Sequence, residues 1–265
     1  MDKHAIPSPL RLGPAPGLTA HHYAAQRPLD GGGRALVLFL HGGTFTDCAA
    51  EAGAARSRLL AEAGADVVAL DYPLAPAHPF PAGLAAAFEA LQAVAAKAAK
   101  LTSSAPSALF VAGEEAGGNI AAALALMARD QRAPHLAGQL LISPMLDPVL
   151  GTASMREGEC GGCECIYAKG WQAYLGDSTR ADHPYAAPLN ASRLAGLAPA
   201  LILSVAGHPL NDESRRYAAA LREHGGTAKD LTLPAIAPGY VLAPVHEFLS
   251  QATRRALASP SPPAG

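Results

Sequence analysis

The stretch ALFVAGEEAGGNIAA, residues 108–122, gathers the residues whose types and spacing could do chemistry. An apolar run ends at Gly113, a glycine-rich turn follows, and a helix is expected from about Gly117. Gly113 and Gly117 each lie two positions from Glu115. That is the spacing of a G-x-S-x-G nucleophile elbow, whose glycines are required because the strained strand–turn–helix leaves no room for side chains. The centre of this elbow carries Glu115 where such turns carry serine. A carboxylate at that point would face the N-terminus of the following helix, where free N–H groups and the helix dipole favour negative charge.

A second stretch, HGGTF at residues 41–45, follows the apolar run ALVLFL. Its glycine pair lets backbone N–H groups point into a site without obstruction by Cβ atoms. Gly43, Thr44 and Ala116, the residue just after the elbow, are the expected oxyanion-hole-like donors. Two chemical roles for Glu115 follow. Its carboxylate could fill its own oxyanion hole and leave the site inert, or it could act as a general base with an imidazole partner.

The elements that must position these residues are legible as alternating patterns. Apolar strands are expected at 34–40, 65–72, 108–113, 138–144, 200–207 and 229–234, with HHYAAQ at 21–26 as a further antiparallel edge strand. Helices are expected at about 50–63, 81–99, 117–131, 167–175, 212–225 and 244–257. Strands that are apolar throughout and separated by helices indicate a mostly parallel sheet covered on both faces, an α/β fold. One domain spanning 1–258 is expected, with residues 259–265 as a disordered tail. Residues 145–199 interrupt the alternation and are read as a lid, because an insertion after a strand's C-terminal end overlies the crevice where such sheets bind ligands.

Of the 265 residues half are hydrophobic and the net charge is −2, with no basic block, which argues against nucleic acid or an anionic membrane as partner. The first residues contain no continuous apolar segment, so no signal peptide is expected and a cytoplasmic location is the default.

Taken in order, HGGTF, DYPLAPAHPFPAG, GEEAGGN, HPYAAPLN, GHPLNDE and PGY resemble the motifs of the hormone-sensitive lipase-like group of α/β-hydrolases, which includes bacterial carboxylesterases. The resemblance covers roughly Arg34 to Tyr240 and implies the α/β-hydrolase fold. It also implies a Ser–Asp–His triad, and each position can be matched. The nucleophile position is Glu115, the acid position His208 and the base position Pro238. All three differ from the family's residues, and proline supplies neither acid nor base. The resemblance therefore predicts a pseudohydrolase that binds a small apolar or ester-like molecule, or a protein partner, in its pocket. The plant gibberellin receptor, which resembles these esterases and has lost the catalytic histidine, is the precedent. A homodimer is a further expectation. The alternative is a noncanonical hydrolase, lyase or isomerase using Glu115 as general base with His208. The region before HGG is short for this group, so part of its N-terminal cap is expected to be missing.

GECGGCEC supplies Cys160, Cys163 and Cys165, and Cys48 follows the HGG loop. These four thiolates could complete a zinc site, but no second C-x-x-C occurs. Free thiols, with no metal and no cofactor, are the expectation adopted. His41 is expected to orient its loop, Asp71 to be a structural partner of that loop, and Asp212 and Glu213 to cap the helix they open. His246 is a candidate substitute base. Trp171 and Tyr174, three apart on the lid helix, are read as packing residues.

Overall fold

The computed structural model describes residues 8–12, 18–47, 50–158 and 165–258. Eight strands form one sheet in the order β1-β2-β4-β3-β5-β6-β7-β8. They are β1 (Ser8–Arg11), β2 (Thr19–Tyr23), β3 (Arg34–Leu40), β4 (Ala65–Leu70), β5 (Ser107–Glu114), β6 (Gly138–Ile142), β7 (Ala200–Val205) and β8 (Ala228–Leu233). β1 and β2 run antiparallel, and β4 to β8 and β3 are mutually parallel. The parallel strands β3 to β7 are nearly continuous apolar runs because helices bury them on both faces.

The described helices are α1 (Ala50–Glu62), α2 (Ala82–Ala96), α3 (Ala98–Leu101), α4 (Glu115–Gln131), α5 (Ala153–Glu157), α6 (Ile166–Leu175), α7 (Asn211–Glu223) and α8 (Pro238–Ala258). Two cores result. One packs α2, α4, α6 and α7 against the sheet around Leu36, Leu38, Ile120 and Tyr217. The other packs α1 and α8 against the opposite face around Val37, Phe39, Phe110 and Leu249.

Three expectations shift. The strand HHYAAQ is real, as β2, but it is not the edge; β1 lies outside it. α8 begins at Pro238, six residues before the expected start, and Pro244 lies inside it. Pro238 opens the helix where its missing N–H costs nothing, so the later proline is not the helix start. The tail 259–265 and the expected thiolates Cys48, Cys160 and Cys163 lie outside the described residues, while Cys165 is a free thiol.

The topology explains where the site sits. From β3 the chain crosses to β4 on one side and later to β5 on the other. The loops after β3 and β5 therefore diverge at the switch point of the sheet, where a crevice opens at the strands' C-terminal ends.

Candidate active site

Those two loops are HGGTF and the elbow. Glu115 has φ +47°, a left-handed conformation that a non-glycine residue adopts only under constraint. The constraint is visible at both glycines. A Cβ on Gly113 would collide with the Gly117 carbonyl, and one on Gly117 would collide with the carbonyls of Leu40 and His41. β5, α4 and the start of the HGGTF loop thus touch backbone to backbone, and only glycine allows it. The Glu115 carbonyl is held from the far side by the Met145 N–H at 3.1 Å. Asn119, fully buried one turn into α4, donates to the carbonyls of Met145 and Ala186 at 2.8 and 2.9 Å.

In the HGGTF loop, Gly43, Thr44 and Phe45 all have positive φ, at 111°, 50° and 67°. His41 orients this turn as expected: its ring stacks on Tyr72 at 4.4 Å, Nδ1 lies 2.8 Å from the Gly42 carbonyl, and Tyr72 Oη donates to the His41 carbonyl at 2.9 Å. Among the described residues no hydrogen bond or ion pair joins the Asp71 carboxylate to the loop. The carboxylate accepts from Thr19 Oγ1 at 2.8 Å and so ties β2 to the end of β4.

The two loops meet through Glu115, whose Oε2 accepts from the Gly43 N–H at 3.2 Å. Among the described residues, nothing engages the Thr44 N–H, and the Ala116 N–H belongs to the first turn of α4, where no intrahelical partner exists. Glu114, alongside, is gripped by Arg56, with Nε and Nη2 each 3.0 Å from Oε1. Burial pushes the Glu114 carboxyl up, Arg56 opposes this, and the Glu115 charge adds to the rise. Arg56 also donates to the Ile236 carbonyl at 3.3 Å, which brings the loop before Pro238 beside the elbow.

His208 stands at the matched acid position. Its Nδ1 accepts from the Leu210 N–H at 3.2 Å, so the neutral ring carries its proton on Nε2. Burial lowers its pKa, and the facing Glu115 charge partly offsets that. Among the described residues no hydrogen bond or ion pair joins His208 to Glu115, and the carboxylate acts on the ring only through space. Pro238 is exposed at the start of α8 and offers no side-chain chemistry.

His246 is not a substitute base. Eight residues along a helix carry it about 12 Å away from Pro238. There Nδ1 lies 2.8 Å from the Ala63 carbonyl and Nε2 lies 3.3 Å from Asp30, before β4 begins, at the opposite end of the sheet. Among the described residues no serine hydroxyl is hydrogen-bonded to a histidine ring, and no group of three or more His, Cys, Asp or Glu residues is placed to hold a metal.

Within residues 145–199, α6 lies on the oxyanion loop. A Cβ on Gly170 would collide with the Thr44 carbonyl. Phe45 stacks on Tyr174 at 3.9 Å and tilts against Trp171 at 5.1 Å. The space between the helix and the loop is therefore filled with aromatic rings, which makes Trp171 and Tyr174 packing residues.

Asp212 and Glu213 do not cap α7. Asp212 accepts from the Ser154 N–H at 2.9 Å, and Glu213 accepts from the N–H groups of Leu146 and Asp147 at 2.7 and 3.1 Å. Both pin the base of the 145–199 segment, a tertiary role that residues opening a helix do not advertise. Glu213 is fully buried, its other oxygen has no partner among the described residues, and burial pushes its carboxyl up to about 7. A raised folded-state pKa contributes stability that is fully present below the unfolded value and is lost as pH rises through the folded value. The wild type is therefore expected to lose about 3 kcal/mol of stability from this group between pH 4.5 and about 7, and Glu213→Gln to remove that slope. Urea unfolding of both proteins across this range checks it. Parallel slopes would contradict the assignment.

Comparison with known proteins agrees with this geometry. A family model described as the alpha/beta hydrolase fold matches residues 37–230. The carboxylic ester hydrolase LipN of Mycobacterium tuberculosis is 38% identical over 249 residues, covering 90% of this chain and 62% of LipN. The carboxylesterase NlhH of the same species is 36% identical over 240 residues, covering 84% of this chain and 72% of NlhH. This chain thus spans less than two thirds of LipN. Among solved structures, a bacterial heroin esterase superposes with a TM-score of 0.81 at 27% identity, covering 95% of this chain and 86% of that one. The pseudohydrolase expectation is overturned by these relatives, which at 36–38% identity are named as ester hydrolases. A glutamate at the matched elbow position does not by itself exclude ester cleavage. The donor loop, the elbow and a carboxylate at its tip remain. The chain belongs to the α/β-hydrolase fold family, and its likeness to the hormone-sensitive lipase-like carboxylesterases stands.

Proposed function

From membership of that family, we propose that the chain hydrolyses carboxylic esters, with Glu115 activating water in place of a serine nucleophile. The observation that carries this reading is the position of the Glu115 carboxylate, on a left-handed elbow and 3.2 Å from an oxyanion-loop N–H. A substrate carbonyl received by the Thr44 and Ala116 N–H groups would lie beside it. Glu115 takes a proton from water as the water oxygen bonds to the ester carbon. The carbonyl oxygen becomes an oxyanion held by backbone donors. The intermediate then collapses, the bond to the alcohol oxygen breaks, and that oxygen recovers the proton from Glu115. The products are an alcohol and a carboxylic acid, and no acyl-enzyme forms.

In this reading the Nε2 proton of neutral His208 faces the Glu115 charge through space and stabilises it without a direct bond. His208→Ala is expected to lower kcat by about tenfold to a hundredfold with little change in KM. Steady-state kinetics on short-chain p-nitrophenyl esters measure both parameters and test the proposal as a whole. Absence of turnover by the wild type on these esters and on lactones would overturn it.

A further inference from the structure

A cavity of about 520 Å³ opens at the end of the sheet remote from Glu115. It lies between the C-terminal half of α4, the segment before β6, residues 196–199 before β7, and the last turns of α8. Its walls are apolar, formed by residues such as Ala125, Leu136, Leu197 and Ala252. Every charged or titratable side chain that lines it is basic: Arg129, Arg132, Arg255 and His135. This is unexpected in a chain with a net charge of −2.

The three guanidinium groups are not equivalent. Arg129 is already neutralised, with Asp130 at 2.8 Å and the carbonyls of Arg193 and Ala195 at 2.7 and 3.0 Å. Arg132 ends α4 in a left-handed conformation, φ +58°, which turns it off the helix axis. Neither Arg132 nor Arg255 has an ion-pair partner among the described residues. The cavity therefore presents two unpaired planar cations at the mouth of an apolar trough whose volume suits a small ligand. Guanidinium forks match carboxylate and phosphate oxygens geometrically, and apolar walls favour an aliphatic chain.

We infer that this cavity binds an amphipathic anion, an aliphatic chain that ends in a carboxylate or phosphate head. The head sits between Arg132 and Arg255, and the chain lies along Ala125, Leu136 and Leu197. The site is independent of ester cleavage, because none of its lining residues touches Glu115 or the oxyanion loop.

Isothermal titration of the full chain with decanoate, decyl phosphate and decanol tests this. Saturable one-to-one binding of at least one of the two anions is expected, with decanol at least tenfold weaker. The tighter anion identifies the head. The Arg132→Ala/Arg255→Ala variant is expected to weaken binding at least tenfold at an unchanged melting temperature, because both side chains are exposed. Glu115→Gln is expected to leave the affinity unchanged, which separates this site from product binding at the elbow. Equal binding of decanol, no binding of either anion, retained affinity in the double arginine variant, or loss of affinity in Glu115→Gln would each overturn the inference.

Discussion

Glu115→Gln is expected to lower ester hydrolysis about a thousandfold while leaving the fold intact. The substitution preserves shape, and the amide oxygen can still accept from the Gly43 N–H. It removes only the ability to take a proton from water, and general-base catalysis is worth roughly a hundredfold to ten-thousandfold. Glu114, one residue away, cannot take over, because Arg56 grips its carboxylate at 3.0 Å. Kinetics on p-nitrophenyl butyrate measure the loss, and an unchanged melting temperature shows that the fold survives. Activity within threefold of wild type would mean that Glu115 is not the base.

Gly117→Ala is expected to destabilise the protein by about 4 kcal/mol or more. The new methyl would meet two backbone carbonyls, those of Leu40 and His41, and no rotamer change can relieve a backbone contact. Relief requires α4 to move off β3, and that movement opens the site at the same point. Most single substitutions cost far less, and a loss of this size is a large share of the 5–15 kcal/mol that holds a typical domain together. For a chain of this length the melting temperature should fall by about 10 °C. Gly239→Ala is the matched control. Nothing lies within 4 Å of a Cβ there, so an effect within about 0.5 kcal/mol is expected. Similar melting temperatures for the two variants would contradict the close approach of α4 and β3.

The strands were readable in the sequence because parallel strands buried on both faces leave an unambiguous apolar signature, as in RALVLFL and ALFVAG. The elbow was readable because its glycines are forced by backbone contact, which is why the turn outlives the serine. β1 was not readable. SPLR is four residues long, and its pairing with β2 depends on a partner rather than on its own pattern. The start of α8 was misplaced because Pro244 imitates a first helical position while the true one, Pro238, stands in a glycine-bearing stretch that reads as loop. The roles of Asp212 and Glu213 were hidden for a related reason. Near a helix start, carboxylates look like dipole partners, whereas here they reach residues 58 to 67 positions away.

The functional inference failed at a different step. The positions matched to the triad carry Glu115, His208 and Pro238, none of them serine, and silence was inferred from that match. The likeness to named carboxylesterases separates the two statements, since water activated by a carboxylate needs neither serine nor the histidine that proline replaces.

The most direct measurement is turnover of p-nitrophenyl butyrate by the wild-type protein before and after treatment with a serine-directed fluorophosphonate, with the intact mass recorded alongside. A serine-free site predicts hydrolysis above the uncatalysed rate, unchanged by the reagent, and no added mass. Stoichiometric modification with loss of activity would place the chemistry on a serine and contradict the assignment to Glu115.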